Sequence, residues 1–456
     1  MTGRLIMVSN RIPTEAEPSG GLVVALHDCL TANGGIWIGS SGDAKANPKD
    51  GLYQIASGAY DRYAFDLSEA EFHNYYLGYA NSVLWPLFHR RADLMDVQPG
   101  YAEGYLEVNL RLAKMLAEFL RPEDVLWIHD YHFLPLAKCL RELGVENRIG
   151  FFLHIPFPVA SDVPALPEAD DFTGWIASYD VFGLQTQADV KRCAILFEQR
   201  FGVPLGSDGM IAVQGRRFMP LACPIGIDAT GFRAAAEASE AGARISMAPD
   251  QKLVLGVDRL DYSKGLVQRF EGFGTYVQDR REVDPKATLL QIAPPSRENV
   301  EAYQDMREAL DLTAGSINGE YGEIDWTPIR YIRRQVPRDD LAGLYRRAAV
   351  SLVTPLADGM NLVAKEFVAA QDPEDPGVLI LSHFAGAAEQ MGEALIVNPY
   401  DAREMAQALL RALTMPLDER KARHAKLWEN VRTEDIVWWT DRFLASLMSE
   451  GMAKVA

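Results

Sequence analysis

The chain runs to 456 residues, about three times the usual single-domain length, so two domains of roughly 200 residues each are expected. A composition that is 48% hydrophobic and 24% charged is ordinary for a globular enzyme and excludes a disordered or low-complexity chain. Forty-five basic against 63 acidic residues give a net charge of -18, which argues against a nucleic-acid partner. The four cysteines, Cys29, Cys139, Cys193 and Cys223, are widely spaced and form no CxxC pair, so neither a zinc site nor a disulfide framework is indicated. A reducing, cytoplasmic setting is expected. No apolar run approaches the roughly eighteen residues needed to span a bilayer, and Leu5 to Val8 is too short for a signal peptide.

The opening RLIMVSNRIP reads as a buried strand that releases a polar, basic loop, and Gly20-Gly21 then precede an apolar helix from Leu22 to Leu30. A glycine loop at a helix start lets backbone approach a phosphate, although the pattern is not GxGxxG and is weak by itself. GGIWIGSSGD, from Gly34 to Asp43, reads as a second strand leaving toward a loop of small residues. Tyr75 to Arg91 is aromatic and basic together; aromatics at this spacing are more often core than binding site, so pattern alone gives Tyr76 and Trp85 low priority.

From Asp124 the rhythm is VLWIHD, a helix from Leu134 to Leu143, RIGFFLHIPFP, a helical stretch and YDVFGLQT. Continuous apolar strands alternating with helices imply a parallel sheet covered on both faces. Two of these strands end in His129-Asp130 and His154, and ligands collect at the carboxyl ends of parallel strands. A histidine buried under the rigid Ile-Pro-Phe-Pro loop is the other reading of His154. ACPIGID, from Ala222 to Asp228, looks like a strand, and the Ala/Glu-rich stretch to Gly242 reads as a crossing between domains. A second series follows from Lys252: KLVLGVD, TLLQIAPPS, IRYIRRQ, VSLVTPL, GVLILSHFAG and ALIVNPYD, with a helix from Asp339 to Ala348. The amphipathic Ile436 to Met448 is expected to pack back across both domains.

Two places concentrate phosphate-type chemistry. The strand end Gly256-Val257-Asp258 delivers RLDYSKG, which sets Arg259 and Lys264 five residues apart before a helix. Two cations there suit a diphosphate and would stabilise charge on a departing nucleoside diphosphate; a solvated basic loop is the alternative. In VTPLADGMNLVAKEFVAAQ, Thr354-Pro355 stops a strand, Asp358-Gly359 forms a turn and Asn361 is placed to cap a helix. Amides at that helix start attract phosphate, and Glu366, one turn in, can accept hydrogen bonds from a ribose diol. A well-capped core helix with a solvated Glu366 fits the same letters. Arg11 and Arg297 are further cations on strand-end loops suited to a second phosphate.

The set SNRIP, Gly-Gly, YY…VLWP, WIHDYH, IGFFLHIPFP, VDRLDYSKG and DGMNLVAKEFVAAQDP resembles the trehalose-6-phosphate synthases over nearly the whole chain. These are retaining glucosyltransferases of the GT-B fold. The resemblance implies two Rossmann-like parallel-sheet domains facing a deep cleft. Residues 1–228, with helix 436–456 packing back, would bind the acceptor, and residues 229–435 the nucleotide sugar. Carried over position by position, Arg259 and Lys264 would grip the donor diphosphate and Glu366 the ribose. Gly21 and the amides of Asn361 and Leu362 would help at the phosphates. Asp130, His154 and Asp358 would surround the glucose, while Arg11, Tyr76, Trp85 and Arg297 would form the acceptor pocket. No cofactor and no essential metal are implied; UDP-, ADP- and GDP-glucose all remain open as donor, as does a homo-oligomer. Front-face attack explains retention in that family, with Asp130 or Asp358 as a covalent nucleophile left open.

Two departures from the family pattern bear on the acceptor. The usual GWSG is Gly39-Ser40-Ser41-Gly42, and the usual Arg-Asp-Gly is Ala357-Asp358-Gly359. The loss of an indole and a guanidinium, with both phosphate-type arginines kept, leaves an acceptor pocket expected to be open. It tilts the sequence reading toward glycerol 3-phosphate and a compatible solute, glucosylglycerol phosphate, with glucose 6-phosphate and trehalose 6-phosphate as the alternative. Two other classes compete: a catalytically silent sugar-phosphate sensor, and a glycoside hydrolase, which needs a carboxylate pair and no nucleotide.

Overall fold

The computed structural model describes residues 3–13, 21–296 and 301–449. The chain divides into two compact units, Met1–Pro224 with Ile436–Ala456, and Ile225–Asp435.

Among its described residues the first unit holds nine strands: β1 (Leu5–Arg11), β2 (Ile36–Lys45), β3 (Tyr53–Ala56), β4 (Asp61–Ser68), β5 (Val125–His129), β6 (Arg148–Phe152), β7 (Val181–Leu184), β8 (Ile211–Val213) and β9 (Arg216–Ala222). Their order is β3-β4-β2-β1-β5-β6-β7-β9-β8. The interior strands run parallel, while β3 on β4 and β8 on β9 are antiparallel edges. β1, β5 and β6 are buried almost throughout, which explains why they read as unbroken apolar runs. The order reverses between β1 and β5, so Arg11 and Asp130 leave the sheet at its switch point.

Helix Ile436–Met448 belongs to this first unit. Phe443 stacks on Trp127 with centroids 4.4 Å apart, and Trp439 lies 4.8 Å from the same ring. A Cβ on Gly150 or Gly183 would come within 2.8 Å of the Phe443 ring, so the sheet is bare there to seat it.

The second unit is built on β10 (Gln251–Val257), β11 (Lys286–Ile292), β12 (Ile329–Ile332), β13 (Val350–Val353), β14 (Val378–Ser382) and β15 (Leu395–Val397). All pair in parallel in the order β12-β11-β10-β13-β14-β15. That order reverses between β10 and β13, and the two loops leaving these strands are RLDYSKG and TPLADGMN. The core beneath is aliphatic and aromatic, with Phe270, Phe273, Leu289 and Val350 fully buried.

Two local expectations differ from the structure. ACPIGID is not a strand: β9 ends at Ala222 and a helix starts at Ala229, capped by Asp228 through Gly231 N. The helix drawn from Leu134 begins at Leu136, after a short turn through Tyr131–Phe133. Phe72–Leu84 is a π-helix, a wide winding that appears mostly as single-turn bulges near functional sites.

Candidate active site

In the second unit, the loop after β10 is closed by its own side chains. Asp261 accepts from Ser263 N at 3.0 Å and Ser263 Oγ at 2.9 Å, and Tyr303 OH donates to its other oxygen at 3.1 Å. Gly265 then turns the chain into helix Leu266–Asp279 with φ of 62°. A Cβ there would sit 2.1 Å from Thr354 O, so only glycine fits. Leu356 N donates to Ser263 O at 2.7 Å, which joins the β10 loop to the β13 loop by backbone.

Between the two loops Lys264 Nζ donates to Asp358 Oδ2 at 2.6 Å, both side chains being only 13% and 12% exposed. Asn361 Nδ2 donates to the same oxygen at 3.0 Å. Asn361, held at φ of 81°, also caps helix Leu362–Ala370 by accepting from Ala364 N at 3.4 Å. The carboxylate of Asp358 therefore fixes a cation on one side and a helix start on the other. Arg259 stands exposed at the mouth of the β10 loop. Leu362 opens the capped helix and is half-buried. Glu366, half-buried one turn in, receives Tyr345 OH at 3.4 Å. Burial pushes its carboxyl up to about 7, with Arg338 and the Tyr345 hydrogen bond pulling the other way.

A residue that the sequence reading missed lies under this loop. Arg269 is fully buried and donates to Asp258, Gln291 and Thr354 at 2.7, 2.9 and 3.0 Å. The only hint in the sequence is a charge on the apolar face of a helix, between Leu266 and Phe270.

In the first unit, Arg11 ends β1 with its guanidinium 5.2 Å from the Tyr76 ring centroid. Tyr76 in turn lies parallel to His132, 5.8 Å away at 14°. Tyr75 OH donates to Asn10 Oδ1 at 2.8 Å, tying the π-helix to the strand end beside Arg11. Trp85 is buried, 4.0 Å from the His89 ring and 5.7 Å from Tyr131. Asp130 follows β5 at φ of 74°, and its Oδ1 accepts from His154 N at 3.3 Å. His129 Nδ1 and His154 Nε2 are 3.2 Å apart. Burial pushes His154 down to about 3, and burial together with its neighbour lowers His129, so the pair is neutral at physiological pH.

The two departures from the family pattern are covered rather than open. Ser40 is 3% exposed, because β2 is an interior strand and pairs it with Arg11 on one side and Phe65 on the other. Ala357 is 5% exposed, and its amide donates to Ser263 O at 3.4 Å. Ser41 and Tyr53 donate to Asp66 at 2.7 Å each, which anchors the strand just past Ser40. Gly21 begins the helix Gly21–Asn33, while Gly20 and Arg297 lie outside the described residues. The structure thus brings together Lys264, Asp358 and Asn361, then Arg11 with Tyr76, and Asp130 with His154. Among the described residues no group of three or more His, Cys, Asp or Glu is placed to hold a metal ion. Among them, too, no helix is long and apolar enough to cross a membrane.

Two parallel sheets with phosphate-type loops at their switch points define a nucleotide-dependent group transferase of the GT-B type. The sequence profile of Glycosyltransferase family 20 matches residues 6–449, and the chain belongs to that family, as a retaining glucosyltransferase. It is 45% identical over 451 residues to the trehalose-6-phosphate synthase of Cronobacter sakazakii, covering 97% of this chain and 95% of the relative. The crystal structure of an alpha,alpha-trehalose-phosphate synthase (UDP-forming) from Burkholderia vietnamiensis superposes with a TM-score of 0.93 at 44% identity, covering 98% of this chain and 97% of that one. The Burkholderia xenovorans enzyme in complex with glucose-6-phosphate gives 0.92 at 43%, covering 98% and 100%.

Proposed function

We propose that this protein moves glucose from UDP-glucose to glucose 6-phosphate with retention, releasing UDP and forming trehalose 6-phosphate. The observation that carries the reading is the full-length similarity, at 43–45% identity, to synthases of that name, one of them in complex with glucose-6-phosphate.

In this reading the second unit takes the donor. Lys264 and Arg259 neutralise the diphosphate, the amides at Asn361 and Leu362 point at its oxygens, and Glu366 accepts from the ribose hydroxyls. Lys264 is held by Asp358 at 2.6 Å, so its charge is positioned before the donor arrives. The first unit takes the acceptor phosphate on Arg11, steadied by Tyr76. The acceptor hydroxyl forms its bond to the glucose C1 on the face from which the phosphate departs. The C1–O bond to UDP breaks, and the hydroxyl proton passes to the leaving phosphate oxygen. His154, neutral at working pH, and Asp130 are suited to hydrogen-bonding the glucose hydroxyls rather than to protonating the leaving group.

Glycerol 3-phosphate is the second reading, favoured by Ser40 and Ala357 where the family pattern carries Trp and Arg. Burial of both side chains weakens it, since neither opens onto solvent. Product identification by mass spectrometry, with UDP-, ADP- and GDP-glucose against both acceptors, tests the proposal. Trehalose 6-phosphate from UDP-glucose supports it, and glucosylglycerol phosphate as the preferred product refutes it.

A further inference from the structure

Arg269 is the fourth residue of helix Leu266–Asp279, and its guanidinium is sealed from solvent. A buried charge is an expensive way to fill space, and an apolar side chain of similar volume would often stabilise a fold as well or better. What distinguishes Arg269 is where its donors go. Nη2 reaches Asp258 Oδ2 at 2.7 Å, just beyond β10, and Nη1 reaches Gln291 Oε1 at 2.9 Å on β11. Nε reaches Thr354 Oγ1 at 3.0 Å, just beyond β13, and Nη2 also faces Lys264 O at 3.5 Å. One rigid fork therefore ties three neighbouring strand ends on both sides of the switch point.

The backbone makes room for it. A Cβ on Gly256 would come within 2.2 Å of Gln291 Oε1 and 2.9 Å of Arg269 Nη1. Apart from Gln291 on β11, each segment it ties also carries a residue of the proposed donor site. Asp258 immediately precedes Arg259, Lys264 O belongs to the lysine itself, and Thr354 leads into Ala357-Asp358. Thr354 Oγ1 also lies 3.5 Å from Gly265 O, closing the link between the two loops. Arg269 further neutralises Asp258, which otherwise would set a negative charge directly behind the diphosphate-binding cations.

We infer that Arg269 is a positioning residue for the donor diphosphate: it touches no substrate and fixes the 258–265 loop against the 354–358 loop, so that Arg259 and Lys264 stand ready. The inference rests on the reading of the second unit as the donor site. Arg269→Lys keeps the charge but cannot span all three partners, and Thr354→Val removes the hydroxyl that joins Arg269 Nε and Gly265 O at nearly constant shape. UDP-glucose binding is measured by calorimetry, alongside kcat and both KM values and a thermal melt of each variant. Loss of positioned hydrogen bonds predicts that Arg269→Lys weakens UDP-glucose binding about tenfold or more and lowers kcat, with acceptor KM unchanged. Thr354→Val moves the same way by less. A purely structural role would reduce the active fraction and leave donor affinity per active site untouched, which overturns the inference. Wild-type donor affinity and kcat in both variants overturn it too. Failure of the wild-type protein to bind UDP-glucose removes the donor reading itself, and the inference with it.

Discussion

Lys264→Ala is the most telling single substitution, because the geometry says what the side chain does before any ligand arrives. Its ammonium is 2.6 Å from Asp358 and 13% exposed, which makes it a fixed charge rather than a mobile surface lysine. Removing one such preorganised charge from a departing phosphate costs about 10²-fold or more in turnover, roughly 2.7 kcal/mol of barrier. A second penalty adds to this, since Asp358 keeps only Asn361 among the two partners that Lys264 and Asn361 supply. The assay is steady-state release of UDP at saturating acceptor, with donor concentration varied. Because the charge acts as negative charge develops on the leaving group, kcat falls together with kcat/KM. A raised donor KM at unchanged kcat would mean that Lys264 contributes only uniform binding, and the transition-state argument would be refuted.

Glu366 gives a pH signature. Its carboxyl is raised to about 7 against an ordinary 4.5, so the ionised form is disfavoured in the free protein. The sign for stability follows: the contribution is present below about 4.5 and is lost as pH rises through about 7. Ribose hydroxyls that donate to the carboxylate favour ionisation, so affinity for UDP-glucose should rise about tenfold from pH 6 to pH 8. The same titration of Glu366→Gln should be flat, and an identical slope in both proteins would discard the ribose role. Chelation with EDTA should leave activity largely intact, since in the proposed donor site Lys264 and Arg259 neutralise the diphosphate; complete loss restored by Mg²⁺ would contradict this. Phe443→Ala should cost about 3–5 kcal/mol in urea unfolding, as a fully buried ring on Trp127 is removed and the bare Gly150 and Gly183 are left uncovered. An unchanged midpoint would show that the C-terminal helix contributes little to the first unit.

The sheet architecture was legible because interior parallel strands are buried on both faces and appear as unbroken apolar runs, as in VLWIH and KLVLGV. Helix starts were legible where chemistry marks them, as at Asn361. The edge strands β3 and β8 are only four and three residues long, and they escaped. ACPIGID misled because beyond Ala222 its apolar residues are buried outside any strand: Ile225 and Ile227 are 2% and 6% exposed. Arg269 was missed since its partners lie 11, 22 and 85 residues away in the chain, and its place on an apolar helix face does not reveal them. The same holds for Ser40, where the letters record a lost indole but not the neighbouring strands that cover the site.

Initial rates with UDP-glucose, taken side by side for glucose 6-phosphate and glycerol 3-phosphate with the product of each identified, test the central claim most directly. The account predicts trehalose 6-phosphate as the dominant product and a higher kcat/KM for glucose 6-phosphate. Efficient formation of glucosylglycerol phosphate with glucose 6-phosphate ignored would contradict it.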